Sequence, residues 1–329
     1  MDKKVVVVTG ASAGIGRATA MEFARHGWRV ALLARSPEGL EGACRDVAEA
    51  GGEALAVPTD VADHAQVDAA AARVEREWGR IDVWVNNAMA TVFCDFLHTR
   101  PEDFTRSTHV TYLGSVWGTL AALRHMKPRD SGTIVQVGSA LAYRSIPLQS
   151  AYCGAKSATR GFIDSLRSEL IHDKSRVHVT MVQLSAFNTP QFDWARNCMG
   201  KRPQPLGTIF QPEIAARGIY WAGTHRRREL WVGLPAAQAI LGTRLVPGFL
   251  DRRLAFQAYE GQLTDHADPA GRPDNLHEPL PGDRGAHGRF DDRATSSAPA
   301  LWWATHRWAM VALGLAVLGT IGTLFGVWS

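Results

Sequence analysis

Short apolar runs alternate with longer segments of helical periodicity from the N-terminus to about residue 260. Most of the runs are rich in Val and Ile, which is typical of buried parallel strands. They lie at Val5–Val8, Val30–Leu33, Ala54–Val57, Val83–Val85, Ile134–Val137 and Val177–Val182. The segments between them, such as 17–26 and 66–78, are long enough for crossover helices. This order predicts an α/β fold, a doubly wound parallel sheet in one domain over residues 1–260.

The residues that follow have a different pattern. Residues 261–300 are rich in Asp, Pro, Gly, Arg and His, with only isolated apolar positions. Because such a composition cannot bury a core, it predicts a polar flexible linker.

The C-terminal end is almost purely apolar. Residues 308–328 contain no charged side chain, and as a helix they would extend roughly 30 Å, the thickness of a bilayer core. Tryptophans stand at both ends of this run, as interfacial aromatics do. We therefore expect a C-terminal transmembrane helix within residues 301–329, with a buried oligomerisation helix as the alternative. Since no signal peptide is recognisable, the domain over residues 1–260 is expected to face the cytoplasm from this membrane anchor.

Composition narrows the class of protein. The chain has 329 residues, 46% hydrophobic and 21% charged, with a net charge of +4, which excludes collagen-like, disulfide-scaffold and wholly disordered proteins. Residues 201–253 carry nine Lys or Arg against three acidic residues. This stretch fits a solvated face or a surface facing anionic lipid equally well, and it contains no nucleic-acid-binding motif. No nucleic acid is expected as a partner.

The four cysteines show no CxxC or zinc-ligand spacing: Cys44, Cys94, Cys153 and Cys198. They are most simply free thiols in a reducing compartment, and no metal site is predicted.

A glycine-rich turn follows the first strand and opens a helix. Its residues are Thr9, Gly10, Ala11, Ser12, Ala13, Gly14, Ile15 and Gly16. Glycines there allow the backbone to approach a pyrophosphate, and the helix N-terminus supplies free N–H donors. This placement inside a βαβ unit predicts a dinucleotide site.

The end of the second strand bears on the choice of cofactor. Ala34 stands where an acidic residue would bind a ribose 2′-hydroxyl, and Arg35 follows it. A guanidinium there suits a 2′-phosphate, with Arg17 as a candidate helper, so NADP is favoured over NAD. The alternative is that Arg35 only solvates its loop.

Polar residues follow three further strands, at the sheet edge where a ligand would lie: Asp60 with Val61, Asn87 with Ala88, and Ser139. Tyr152 and Lys156 have the i, i+4 spacing that places them on one face of a helix. A nearby ammonium stabilises a phenolate, so tyrosine can exchange a proton with an alcohol or carbonyl while a hydride moves.

This ordered set resembles the short-chain dehydrogenase/reductase superfamily, over roughly residues 3–235. The resemblance implies a Rossmann-type fold, nicotinamide hydride transfer and a homodimer or homotetramer. It implies that Tyr152 is the acid/base, that Lys156 binds the nicotinamide ribose and lowers the tyrosine pKa, and that Ser139 orients the substrate oxygen. Asp60 would contact adenine, and Asn87 would lie along the cofactor ribose.

Three positions depart from the family pattern. Thr111 stands where the family has a fourth catalytic residue, an Asn, and Met89 replaces the glycine after Ala88. Leu184 and Ser185 replace a Pro-Gly pair, although Thr189 still matches the threonine that meets the carboxamide.

An apolar set falls where the family has its variable substrate loop: Phe187, Phe192, Trp194, Met199, Leu206, Ile209 and Phe210. With the tyrosine–lysine pair, it predicts an NADP-dependent oxidoreductase for a lipophilic alcohol, ketone or aldehyde. The alternative function, which rests on the substitutions at residues 111 and 184–185, is a membrane-tethered NADP-binding scaffold or redox sensor with little turnover.

Overall fold

The computed structural model of the chain describes residues 3–269 and 271–306. The strands in these residues are β1 (Val5–Thr9), β2 (Arg29–Ala34), β3 (Glu53–Pro58), β4 (Val83–Asn86), β5 (Val92–Phe93), β6 (Thr133–Val137), β7 (His178–Leu184), β8 (Ala186–Phe187), β9 (Arg196–Asn197), β10 (Lys201–Pro203), β11 (Ile209–Phe210), β12 (Glu229–Val232) and β13 (Leu263–Ala267).

The α-helices in the same residues are α1 (Gly14–Arg25), α2 (Pro37–Glu49), α3 (His64–Trp78), α4 (Pro101–Thr108), α5 (Gly114–Met126), α6 (Ser150–His172), α7 (Gln191–Trp194), α8 (Pro212–Thr224), α9 (Leu234–Leu245), α10 (Pro247–Gly261) and α11 (Pro299–Thr305). Two 3₁₀ turns lie at Phe96–His98 and Ala140–Ala142, and a π-helical turn lies at His109–Leu113.

Seven strands form one sheet in the order β12-β7-β6-β4-β1-β2-β3, and every pair in it is parallel. The predicted doubly wound parallel sheet is therefore confirmed. Strand β12 is missing from the sequence prediction because it is a four-residue edge strand with alternating burial. Such a strand lacks the continuous apolar run that marks the others.

Both faces of the sheet are covered by helices. On β1, Val6 and Val8 belong to the apolar cluster that includes residues of α1, α2 and α8. Val5 and Val7 belong to the opposite cluster, with residues of α3, α5 and α6. Because successive side chains of a strand point to opposite faces, a run of four valines serves both layers.

The centre of the sheet determines where a ligand can lie. Strand β1 pairs with β2 on one side and with β4 on the other. In a doubly wound sheet, the crevice outside the carboxyl ends of two such strands is the usual ligand position.

The segment predicted to be a polar linker packs against the domain. Strand β13 pairs antiparallel with β10. We call residues 271–306 the C-terminal segment. Its Leu276 and Phe290 are 0% and 4% exposed, and the amide of Thr295 donates to the Ile209 carbonyl at 2.9 Å. Isolated apolar residues thus suffice to attach a polar segment to an existing core, a long-range effect that composition does not reveal.

The structure also corrects the membrane anchor predicted for residues 301–329. Among residues 3–269 and 271–306, no helix has the length and apolar character needed to cross a membrane. Helix α11 covers the start of the predicted anchor, but it has seven residues, and its Leu301 packs into the core cluster beside α8 and β12. The prediction of a transmembrane helix as part of the fold is therefore wrong. The membrane localisation predicted from it, with the domain facing the cytoplasm, is wrong as well. The apolar run 308–328 itself lies outside the described residues.

The cysteines also differ from expectation. Cys94 and Cys198 form a disulfide, with Cα atoms 5.1 Å apart, whereas Cys44 and Cys153 are free. Strand β5 pairs with β9 next to these residues, which brings together two cysteines 104 positions apart. Spacing along the chain could not indicate this pairing.

Candidate active site

The glycine turn is built by close backbone contact. Gly10 and Gly14 have positive φ angles of 66° and 58°, a region that favours glycine. A Cβ atom on Gly10 would lie 2.8 Å from the Ala88 Cα atom, and one on Gly16 would collide with the Gly10 carbonyl. The turn therefore presents backbone rather than side chains at the N-terminus of α1.

Thr9 and Asn87 hold this turn against the end of β4. The Thr9 hydroxyl accepts from the amides of Asn87 and Ala88 at 2.9 and 3.1 Å. The Asn87 side chain donates to the Thr9 carbonyl at 2.9 Å and to the Gly10 carbonyl at 3.3 Å. The side-chain amide of Asn87 thus stabilises the conformation of the turn.

A cavity lies over the turn, and we call it the glycine-turn cavity. It contains about 1080 Å³ of empty volume. Ten of the predicted cofactor residues line it: Gly10, Ser12, Gly14, Ile15, Arg35, Asp60, Val61, Asn87, Ala88 and Thr189. The fold thus brings together residues from the ends of β1, β2, β3 and β4 and from the loop after β8.

Arg35 lies at one end of this cavity, and the C-terminal segment holds its guanidinium. It donates to the carbonyls of Asn275 and His277 at 2.5 and 2.6 Å. Burial and then the nearby charge of Arg106 lower the pKa of Arg35. The side chain is therefore fixed in place rather than free in its loop.

Asp60 and Arg17 are both paired within the chain. The Asp60 carboxylate accepts from Arg106 at 2.6 Å and from the Ala62 amide at 3.0 Å. Arg17 is only 3% exposed and donates to Asp46 and Asp283 at 2.7 and 2.5 Å. Burial by itself lowers the pKa of Arg17, but these two carboxylates outweigh it, and the net change is upward. Two carboxylates thus compensate the positive charge of Arg17, which leaves it little capacity to bind a phosphate.

A second cavity, which we call the tyrosine cavity, contains about 1650 Å³ and is lined by Ser139, Tyr152 and Lys156. The two α6 residues lie one turn apart, with the Lys156 ammonium 5.6 Å from the centre of the Tyr152 ring. The ammonium donates to the Val137 carbonyl at 2.6 Å. The Ser139 hydroxyl caps the 3₁₀ turn by accepting from the Leu141 amide at 3.1 Å.

Burial dominates the electrostatics of this pair. It raises the pKa of Tyr152 far above its ordinary value, and the hydrogen bond with Ser139 offsets this only in part. It also lowers the pKa of Lys156 to about 8. At neutral pH the phenol is therefore protonated and the lysine is still mostly charged. This differs from the predicted lowering of the tyrosine pKa by Lys156.

Thr111 lines neither cavity, although its neighbour Val110 lines the glycine-turn cavity. It is fully buried in the π-helical turn, where its hydroxyl donates to the Ala90 carbonyl and accepts from the Ala90 amide, both at 2.9 Å. Since one backbone position satisfies the hydroxyl in both directions, Thr111 connects α4 and α5 to the loop after β4.

The walls of the tyrosine cavity are largely apolar. Of the predicted substrate-loop residues, Phe187, Phe192 and Leu206 line it. Trp194 lines the glycine-turn cavity instead, and Ile209 and Phe210 are buried, whereas Met199 lines neither cavity.

Helices α9 and α10 supply wall residues that the sequence analysis missed: Pro235, Ala236, Gln238, Ala239, Leu250, Arg253, Leu254 and Gln257. Their helical pattern of apolar residues was a usable signal, but it does not say which cavity a helix closes.

The two cavities share five lining residues: Ile15, Asn87, Met89, Thr189 and Gln191. They therefore form one continuous cleft from Arg35 to Tyr152. Such an arrangement suits a long two-part ligand at one end and a smaller apolar ligand at the other.

Sequence comparison connects this cleft to a known family. The family model described as short chain dehydrogenase matches residues 4–197. The uncharacterized oxidoreductase YxnA of Bacillus subtilis is 34% identical over 278 residues, which are 84% of this chain and 76% of that protein. The human 3-oxoacyl-[acyl-carrier-protein] reductase is 37% identical over 176 residues, or 54% of this chain and 73% of that enzyme.

Solved structures agree. A metagenomic short-chain oxidoreductase in complex with NADP superposes with a TM-score of 0.60 at 26% identity, covering 70% of this chain and 97% of that chain. An alcohol dehydrogenase from Thermococcus sibiricus, complexed with 5-hydroxy-NADP, gives a TM-score of 0.61 at 27% identity, with coverages of 70% and 96%. The resemblance inferred from the motifs is therefore confirmed.

Proposed function

The chain belongs to the short-chain dehydrogenase family, and we propose that it is an NADP-dependent oxidoreductase acting on a lipophilic alcohol, ketone or aldehyde. One observation carries the proposal. Ser139, Tyr152 and Lys156 line a cavity whose walls are more apolar than polar and which shares lining residues with the glycine-turn cavity.

The glycine-turn cavity fits a nicotinamide dinucleotide. A side chain at Gly10 or Gly16 would fill the turn, so backbone alone can meet a pyrophosphate there. The Gly14 amide at the start of α1 donates to the Gly285 carbonyl, whereas the next amides, those of Ile15 and Gly16, lack intrahelical acceptors by helix geometry and favour a negative group. When bound, the cofactor supplies or accepts the hydride.

The preference for NADP over NAD is supported by Arg35, because a fixed guanidinium at the end of β2 suits a 2′-phosphate better than a hydroxyl. Two related structures, described above, were solved with NADP or a derivative.

Tyr152 is the proposed acid/base. Since burial raises its pKa, the phenol is protonated at neutral pH and can donate to the oxygen of a carbonyl substrate. Ser139 would orient that oxygen, and the charge of Lys156 would stabilise the phenolate that remains. In the oxidative direction the same phenolate would take up the proton of the alcohol.

Apolar walls support a lipophilic substrate. Phe187, Phe192 and Leu254 offer hydrocarbon surface beside the proposed proton donor. Such walls favour substrates with extended apolar groups over small polar ones.

The test is a Tyr152→Phe variant assayed with NADPH against a panel of lipophilic carbonyls. Loss of the proton donor should lower kcat by at least ~100-fold. Tyr143→Phe is the matched control, because the Tyr143 hydroxyl bonds Glu229 at 2.7 Å and lines neither cavity. A Tyr152→Phe enzyme as fast as wild type would refute the mechanism.

A nucleotide-binding scaffold with little turnover is the second candidate. The Thr111 hydroxyl favours it, because its single O–H donor is taken by the Ala90 carbonyl and is not directed into the cleft. Tight NADPH binding with no substrate-dependent loss of nicotinamide absorbance across the same panel would favour the scaffold.

A further inference from the structure

The C-terminal segment crosses the glycine-turn cavity and contributes to its lining. Five of its residues line the cavity: Asn275, Pro279, Leu280, Gly282 and Arg284. These residues follow the whole seven-stranded sheet in the chain, yet they meet the turn after the first strand.

Two adjacent contacts attach this part of the segment. The Gly285 carbonyl accepts from the Gly14 amide at 3.0 Å. Asp283 receives a two-pronged contact from Arg17, with the guanidinium nitrogens 2.5 and 3.1 Å from its two carboxylate oxygens. The Arg17 side chain is 4% exposed, so this pair is shielded on one side. Paired bonds of this kind fix orientation as well as position.

Arg284 stands between these two attachments. Its backbone is therefore held close to the glycine turn, and the residue is exposed and lines the cavity. The guanidinium donates to the Pro281 carbonyl at 3.3 Å. In the part of the chain that the structure describes, no carboxylate pairs with it.

The other arginines nearby differ. Arg17 is paired with two carboxylates, Arg106 is paired with Asp60, and backbone carbonyls hold Arg35. Of the two arginines among the lining residues of the glycine-turn cavity, Arg284 therefore keeps more of its donors available than Arg35 does. A guanidinium with free donors matches the paired oxygens of a phosphate.

We propose that Arg284 is a phosphate-binding residue of the dinucleotide site and that Asp283 positions it through the pair with Arg17. The proposal rests on the proposed function and extends it, because it makes the C-terminal segment a specific part of the cofactor site. The phosphate is either the ribose 2′-phosphate or the pyrophosphate, and the experiment separates the two.

The experiment measures the Kd of NADPH and of NADH for the full-length chain by nicotinamide fluorescence, without any substrate. Arg284→Ala should weaken NADPH binding by about tenfold or more, as expected for a lost charge-assisted hydrogen bond. Arg284→Lys should restore part of the affinity, because it keeps the charge but loses the fork. Arg252→Ala is the matched control, since Arg252 is exposed on α10 and lines neither cavity.

The two cofactors identify the phosphate. If Arg284→Ala weakens NADPH and leaves NADH unchanged, Arg284 binds the 2′-phosphate. If both weaken alike, it binds the pyrophosphate. If both Kd values stay within about twofold of wild type, the proposal is overturned.

Asp283→Asn tests the positioning role. It removes the charge pair with Arg17 and should weaken NADPH binding in the same direction as Arg284→Ala, but by less. The double variant should bind about as weakly as Arg284→Ala alone, because both changes remove one contact. Additive losses would show that Asp283 acts independently of Arg284.

These measurements distinguish failure of this proposal from failure of the proposed function. A wild-type chain that binds NADH as tightly as NADPH would contradict the NADP preference, while an equal loss of both in Arg284→Ala would still support Arg284. Wild-type preference for NADPH that survives Arg284→Ala would overturn only the role of Arg284 at the 2′-phosphate.

Discussion

The glycine-turn cavity and the tyrosine cavity differ in the partners of their charged and titratable side chains. In the glycine-turn cavity, Asp60 is paired with Arg106, and Arg35 is held by carbonyls of the C-terminal segment. In the tyrosine cavity, Lys156 is buried and Tyr152 is half-buried, no carboxylate in the part of the chain that the structure describes pairs with either, and burial shifts the pKa of each toward its neutral form. Charged groups held in place by hydrogen bonds, such as Asp60 and Arg35, fit a binding site, whereas titratable groups whose pKa values are shifted by burial fit proton transfer.

The largest expected effect on activity comes from removing the ammonium group of Lys156. Lys156→Met keeps the length and apolar stem of the side chain but removes the ammonium, and we expect kcat for carbonyl reduction to fall by at least ~100-fold. Lys201→Met is the control, because Lys201 is exposed and lines neither cavity. Steady-state kinetics at saturating NADPH measure the difference. Full activity in Lys156→Met would contradict the proposal that the tyrosine cavity is the site of proton transfer.

The pH profile gives the next effect. Burial lowers the pKa of Lys156 to about 8, so the ammonium is present below that pH and is lost above it. Carbonyl reduction should therefore be constant near neutral pH and decline above about 8, approaching a tenfold loss per pH unit. The measurement is kcat/KM with NADPH from neutral to strongly alkaline pH. A rate that rises through this range would show that Lys156 is not needed in its charged form.

The apolar wall of the tyrosine cavity gives a smaller effect. Leu254→Asn places an amide on that wall and should lower kcat/KM for long-chain or polycyclic carbonyls by about tenfold, as expected for lost apolar contact. Small carbonyls should be affected less. Leu245→Asn is the control, since Leu245 is 79% exposed on α9 and lines neither cavity. Equal losses for large and small substrates would argue against a lipophilic substrate.

The smallest effect on activity is expected outside both cavities. Thr111→Val removes the two hydrogen bonds with Ala90 and should lower the free energy of unfolding by about 1–3 kcal/mol, as expected for buried polar groups left unpaired. Activity should remain, because the hydroxyl does not line the cleft. Denaturant unfolding and steady-state kinetics together test this. A ~100-fold loss of kcat at unchanged stability would instead support the catalytic role predicted for Thr111.

Much of the sheet and of the lining of the cleft was predictable because its signals are local. The valines of β1, the glycines after it and the spacing of Tyr152 and Lys156 each depend on neighbours within a few residues. The positions of Asp60, Asn87 and Ser139 directly after predicted parallel strands then placed them at one edge of the sheet. Their catalytic and binding roles remain predictions.

The pairing of charges was not predictable. Arg17 was a candidate phosphate ligand by its position after the glycines, yet Asp46 and Asp283 bind it. Asp283 belongs to residues whose composition is that of a linker. Neither the hydropathy nor the spacing of these residues indicates which partner a charged side chain will find 266 positions away.

The parallel α/β order, the glycine turn and the tyrosine–lysine pair follow from the sequence alone, because backbone geometry and side-chain periodicity act over short distances. The packing of the folded chain is needed to show that the C-terminal segment lines the glycine-turn cavity and that Arg284 stands there with donors available. The packing of the folded chain also determines which charged side chains form ion pairs. These outcomes depend on contacts between segments far apart in the chain, which exist only in the folded structure.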